Sequence, residues 1–227
     1  MTTHLDPLWP HFAALWTDLR RIAPGILLTG GYGLFLKQSW LLSNADVPTI
    51  VGVHAWHDQI PRSTRDLDFI AEVGLIASPE QQRALDAVLV AHRFEVVQHN
   101  ARWQFSKQLD SGHSVLLDFH TPSPTRDRRD VRVESRRVKP QPSLQDSGIH
   151  GRENRDAVGC DLLPFHFPVG GLDIVIPNPV SQAIMKLTAM RDRWTRMQDP
   201  TRPASERQTE EAEARKHAQD VFRVIAL

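Results

Sequence analysis

The 227-residue sequence predicts an α+β protein: a mixed β-sheet flanked by helices, with a helical C-terminal part. Three observations carry this reading. Segments of helical and of alternating periodicity interleave up to about residue 120. Two helical stretches, PVSQAIMKLTAMRDRW (179–194) and TEEAEARKHAQDVFRVIAL (209–227), then close the chain. Hydrophobic residues make up 41% of it, enough to build a core rather than a disordered chain.

Taken in order, residues 9–22 place Phe12, Leu15, Trp16, Leu19 and Ile22 at helical spacing, with Pro10 tolerated near the start. GILLTGG (25–31) reads as a short apolar strand running into a Gly-Gly turn, and GYGLFLKQSWLL (31–42) as a helix opened by those glycines. Residues 43–61 form a mixed connection. DLDFIAEV (66–73) is a strand. SPEQQRALDAVLVAHRF (78–94) is a helix, with Ser78 as N-cap and Pro79 at its first position. FEVVQH, RWQFSKQ and HSVLLDFHT follow as strands separated by turn residues. Residues 121–160 are rich in charge and proline without a period, and read as a loop or insertion. LDIVIPNP (172–179) is a last strand, and DPTRPASERQ (199–208) separates the closing helices. The expected organisation is a core over 1–125, a charged loop or insertion over 126–160, and a mainly helical C-terminal subdomain over 161–227. A chain of this length suits one large domain or two small ones.

Composition narrows the function classes. Lys plus Arg equals Asp plus Glu, 27 each, so net charge does not push the chain toward nucleic acid or membrane. One cysteine, Cys160, excludes an internal disulfide and a cysteine-only metal site, and fits a reducing, cytoplasmic setting. The opening MTTHLDPLWPHF lacks the basic and apolar regions of a signal peptide. No apolar run approaches the roughly 20 residues of a membrane span.

RSTRDLDFIAE (62–72) holds the chemistry. Side chains alternate along a strand, so Asp66 and Asp68 share one face while Leu67 and Phe69 take the other. Two neighbouring carboxylates repel unless a cation or a proton sits between them. A divalent ion such as Mg²⁺ (or Mn²⁺) answers that, and leaves positions open for phosphate. HSVLLDFH repeats the grammar with Asp118. If the strands are neighbours, three carboxylates converge, as in centres holding two metals about 3.5–4 Å apart. Gly30 and Gly31 follow a strand and open a helix, where bare backbone N–H groups approach an anion. Each signal alone has a bland alternative: a surface acidic pair, an ordinary turn, a strand-end carboxylate.

LLTGGYGLFL, RSTRDLDF and VLLDFH together resemble the nucleotidyltransferase superfamily that includes DNA polymerase beta, and within it the AbiEii/MenT-type toxins of bacterial toxin–antitoxin systems. AIMKLTAMRDR resembles that family's lysine-bearing helix, and RKHAQDVFRVI its closing helix. The resemblance implies a nucleotidyltransferase-like fold in which Gly30 and Gly31 line a triphosphate and Asp66 and Asp68 hold Mg²⁺. It implies that Asp118 binds the catalytic metal and takes the proton of the attacking hydroxyl. Lys186 and Lys216 would contact phosphates, with Asp220 orienting one of them. Arg62 and Thr64, on the approach to the aspartates, are further nucleotide-binding candidates. The sequence departs from the family in Tyr32 and Gly33, in the long connection from Gly31 to Arg62, and in His217, where relatives often carry aspartate.

The implied activity is transfer of an NMP from an NTP to a hydroxyl of RNA (tRNA) or protein, with a cognate antitoxin as partner if the chain is a toxin. Alternatives are a small-molecule, antibiotic-type nucleotidyltransferase, a catalytically silent nucleotide- or partner-binding module, and a metal-dependent phosphohydrolase. Other residues read more plainly. Ile184, Leu187 and Met190 are expected to pack around Lys186. Residues 126–139 hold seven Lys/Arg and three acids, which reads as a solvated segment with internal ion pairs before an RNA contact. His54 and His57 in HAWHD read as incidental. Cys160 reads as an inert thiol.

Overall fold

The computed structural model describes residues 6–44, 46–52, 66–98, 102–109, 112–143 and 148–227. Arg62, Thr64 and the HAWHD stretch lie outside them. The protein is a mixed α+β structure with a mixed sheet flanked by helices and a helical C-terminal part.

Helix α1 (Trp9–Ile22) buries Phe12, Leu15, Trp16 and Leu19 and leads to β1 (Leu27–Thr29) and α2 (Gly30–Leu42). After β2 (Asp66–Ile70) come α3 (Val73–Ala77) and α4 (Pro79–Ala91), the latter capped by Ser78, whose side chain accepts from the Gln81 amide. Next are β3 (Glu95–Val96), β4 (Gln104–Gln108) and the long β5 (Ser114–Pro122). β1 pairs antiparallel with β2, and β2 parallel with β5. The other edge of β5 takes β4 antiparallel along 114–118 and then β8 (Gly151–Asn154) parallel along 120–122. Phe69, Phe105, Leu67, Leu117 and Phe119 pack on the inner face against α1, so alternation commits Asp66, Asp68, Asp118 and His120 to the opposite face.

Residues 126–160, expected to be a loop or insertion, carry regular structure. β6 (Val131–Glu134), β7 (Arg137–Pro140) and β8 extend the sheet, and a single 3-10 turn follows at Arg155–Ala157. Few of their residues, such as Val131 and Val138, reach the core while the charged ones stay out, so the composition hid the strands. The basic residues here do form internal ion pairs, Arg128 with Asp130 and Lys139 with Glu134.

The segment from 161 opens with a hairpin, β9 (Phe165–Val169) and β10 (Leu172–Ile176). Its Phe167, Ile174, Val175 and Ile176 join the same hydrophobic cluster as α1, β1, β2 and β5. Two long antiparallel helices, α5 (Pro179–Met197) and α6 (Ala204–Ala226), complete the chain. Ile184 and Leu187, expected to pack, are 45% and 44% exposed; they lie with Val180 and Trp194 on the outer face of α5. Ion pairs of Lys186 with Asp220 and of Arg193 with Glu210 also join the two helices. No helix among the described residues is long and apolar enough to cross a membrane.

Candidate active site

The sheet register builds one row of side chains across the open face. Thr29 stands opposite Asp68, Asp68 opposite Asp118, and Asp118 opposite Gln104. The next row sets His120 beside Arg152 of β8. Partners in register share a face, so the two aspartates are neighbours by backbone geometry alone.

Asp68, Asp118 and His120 each offer a ligand atom within 4.8 Å of the others. The His120 Nε2 lies 3.3 Å from Asp68 Oδ1. One oxygen of Asp118, Oδ1, is buried and has no hydrogen-bond partner among the described residues. An orphaned buried carboxylate oxygen is costly, and two carboxylates side by side are more so, which is the donor chemistry that a divalent cation relieves. Burial works to raise the Asp68 carboxyl, but the His120 hydrogen bond and the charges of His120, Lys186 and Arg152 outweigh it and hold it below the usual range. Asp118 goes the other way: burial pushes it up, and Asp68 adds to that against the Gln104 hydrogen bond. Neighbouring carboxylates whose affinities for a proton are driven apart mark sites of acid–base or metal chemistry.

Gly30 sits directly against this pair. Its φ of +69° is a left-handed conformation, and a Cβ there would lie 1.9 Å from Asp68 Oδ2. Both facts demand glycine. Among the described residues no side chain caps helix α2, which begins at Gly30, and Gly30 and Gly31 line the cleft beside the carboxylates.

The cleft has a volume of about 730 Å³, within the roughly 300–1,000 Å³ of small-molecule sites. Thr29, Gly30, Gly31, Asp66, Asp68, Asp118 and His120 form its floor. Arg136, Arg152 and Arg155 close one side. Helices α5 and α6 supply the wall, with Lys186, Arg193, Arg196, Lys216 and His217. Lys186 donates to Asp220 Oδ2 at 2.7 Å, and Asp220, buried at 1% exposure, also lies 3.8 Å from Arg223. Lys216 is bonded to Glu213 at 3.0 Å. Arg193 bonds Glu210 at 3.0 Å, tying the helices together. The ring of His217 is pushed down to about 4, by burial first and then by Lys186, so it is neutral at pH 7.

Gly30, Gly31, Asp66, Asp68, Asp118, Lys186 and Lys216 therefore line one cleft, and Asp220 stands behind Lys186. Asp66 is exposed at the start of β2 and lies outside the three-residue cluster. His120 takes that place. Its signal was available: it follows Asp118 by two residues, the same spacing that links Asp66 to Asp68. Arg152 and Arg136 had no such signal: Arg152 lies on a strand that the composition hid, and Arg136 in the turn between β6 and β7. Cys160 is buried away from the cleft, and its thiol is pushed up to about 12 by burial, which leaves it unreactive.

Comparison with known protein families, with curated proteins and with solved structures finds no match to the chain.

Proposed function

We propose that the protein is a divalent-cation-dependent nucleotidyltransferase that moves an NMP from an NTP to an acceptor hydroxyl. One observation carries the reading: an uncapped glycine-led helix N-terminus abuts two in-register carboxylates at the base of a cleft walled by basic side chains. That arrangement supplies an anion cradle, a cation site and charge compensation together.

Asp68 and Asp118 would hold the Mg²⁺ or Mn²⁺, with His120 and Asp66 close by; the orphaned Asp118 Oδ1 fits such an ion. When bound, the cation neutralises charge on the phosphates. The amides of Gly30 and Gly31 receive phosphate oxygens at the start of α2. Lys186, held by Asp220, and Arg193 face those oxygens from the helical wall. Asp118, whose carboxyl is pushed up by burial and by Asp68, is the better proton acceptor of the pair for the attacking hydroxyl. The chain forms no covalent bond to substrate; placement and electrostatics carry the rate.

The acceptor is a hydroxyl of RNA, tRNA included, or of protein. The test is label transfer with Mg²⁺ or Mn²⁺ and each α-³²P-labelled NTP in a bacterial lysate, beside Asp68→Asn/Asp118→Asn. Label present only with the wild type, and lost to ribonuclease or to protease, supports the reading and names the acceptor. Tight NTP binding with no labelled acceptor points to the silent binding module. A toxin role would add growth arrest on expression that the double variant abolishes.

His120 within the cluster favours a second reading, a metal-dependent phosphohydrolase or nuclease, since such centres combine histidine with carboxylate. Release of inorganic phosphate, or nicking of RNA without NTP, would select it.

A further inference from the structure

We infer that His120 is a direct ligand of the cation, and that the centre therefore prefers a first-row transition ion, Mn²⁺, over Mg²⁺. The inference rests on the cation-site reading above and goes beyond it in the ligand set and the ion. Three observations on the sheet support it. Among the described residues, the atoms that converge are two carboxylate oxygens and an imidazole nitrogen, not three carboxylates. The imidazole Nε2 already lies 3.3 Å from Asp68 Oδ1, with His120 two residues along the strand from Asp118 and on the same face. The buried Asp118 Oδ1 has no hydrogen-bond partner among the described residues, and an oxygen of Asp118 is the third atom of the triangle.

Geometry makes the ion a good fit. Donors bound at about 2.1 Å lie roughly 3–4 Å apart, and the three atoms here lie within 4.8 Å of one another. Closing a separation at that limit takes a combined shift of about 1–2 Å in side chains that are already neighbours. In the bound state the imidazole presents its Nε2 lone pair and keeps its proton on Nδ1. Nitrogen is a poor donor for Mg²⁺, which takes oxygen and holds its waters, whereas first-row transition ions accept imidazole readily. Asp66, the residue that would complete an all-oxygen set, is instead at the exposed end of the strand.

The test uses the full chain and Mn²⁺ itself as probe, read by electron paramagnetic resonance, with and without a non-hydrolysable ATP analogue. The wild type should show a nitrogen hyperfine coupling on bound Mn²⁺, and a large excess of Mg²⁺ should displace it poorly. His120→Asn should remove the coupling and weaken Mn²⁺ at least about tenfold. His120→Asp, which restores an all-oxygen set, should narrow the Mn²⁺/Mg²⁺ ratio without a nitrogen signal. Mn²⁺ bound by the wild type with no nitrogen coupling, or displaced as easily by Mg²⁺ as from His120→Asp, would overturn the inference while leaving the carboxylate site standing. Mn²⁺ binding that survives Asp68→Asn/Asp118→Asn unchanged would remove the cation site altogether. The wild-type coupling needs no variant to fold, so the outcome does not hinge on the substitutions.

Discussion

On the sheet, Asp68 and Asp118 are neighbours because two parallel strands pair in one register; on the helical wall, Lys186 and Arg193 hold their places through the ion pairs to Asp220 and Glu210. The first placement is made by backbone hydrogen bonds with Leu67, Phe69, Leu117 and Phe119 locked in the core beneath. The second is made by side chains on a helix pair whose outer face leaves Val180, Ile184, Leu187 and Trp194 exposed. A strand residue gets its position from period and register, and its charge is then free for chemistry. A helix residue here gets its position from its charge. Removing a charge should therefore cost function on the floor and stability on the wall.

Asp118→Asn is the largest expected effect. Transfer should fall about 10³-fold, since several kcal/mol of charge stabilisation at the reacting phosphate is lost. Melting in chelator should not fall, and the sign follows from the raised carboxyl. The unfolded chain gives up this proton at the ordinary value, before the folded one does. Ionisation therefore lowers stability as pH climbs from the ordinary value through the folded one, and the penalty is complete above it. The amide escapes it. A drop of several degrees with Asp118→Asn would mean that the residue is structural.

Asp220→Ala should reverse the pattern. It strands Lys186 and Arg223 beside a position that is 1% exposed, and breaking a buried pair from one side typically costs about 3–5 kcal/mol. Urea unfolding should show a loss near the lower end of that range. Lys186→Met, which leaves Asp220 with Arg223, should lose less stability and more transfer. Equal stability of Asp220→Ala and wild type would break the ionic account of the wall.

Gly30→Ala tests the seam where the two regions meet. A left-handed conformation costs a residue with a Cβ about 1–2 kcal/mol, and the new methyl would displace the Asp68 carboxylate it meets at 1.9 Å. Both stability and transfer should fall. Gly74→Ala, in a helix with open space around it, is the control and should be neutral or slightly stabilising. Normal transfer by Gly30→Ala would remove the cradle from the proposed function.

The same division explains what the sequence disclosed. Asp68, Asp118 and the Gly30–Gly31 turn were readable because alternation and glycine each carry a direct geometric meaning. Ser78 as an N-cap was readable for the same reason. His120 obeys the same alternation, and its two-residue spacing from Asp118 is the signal that puts it on the same face. The strands over 131–154 were missed because they lie at the sheet's far edge and bury few residues, such as Val131 and Val138, while Val133 stays exposed. Arg152 went with them. Ile184 and Leu187 misled because helical spacing of apolar residues states that a stripe exists, not that something covers it.

Lys37 supplies the smallest test and a counterexample to the wall. It stands on α2, whose other end opens at Gly30, and is 2% exposed. Its ammonium lies over the Phe165 ring at 4.6 Å and, among the described residues, has no carboxylate partner. Burial lowers it to about 8. Below that pH the charge is carried in both states and its burial weighs fully against folding. From about 8 upward the folded chain sheds the proton while the unfolded chain keeps it to 10.5, so stability should climb across that interval. Lys37→Met should gain about 1 kcal/mol at pH 7, as replacing buried charge by apolar volume does, and should lose the rise between pH 8 and 10.5. A destabilised Lys37→Met would show that the aromatic contact holds this lysine as firmly as Asp220 holds Lys186. Charge would then be positioning α2 as well, and the distinction between a floor placed by backbone and a wall placed by charge would fail at the helix that joins them.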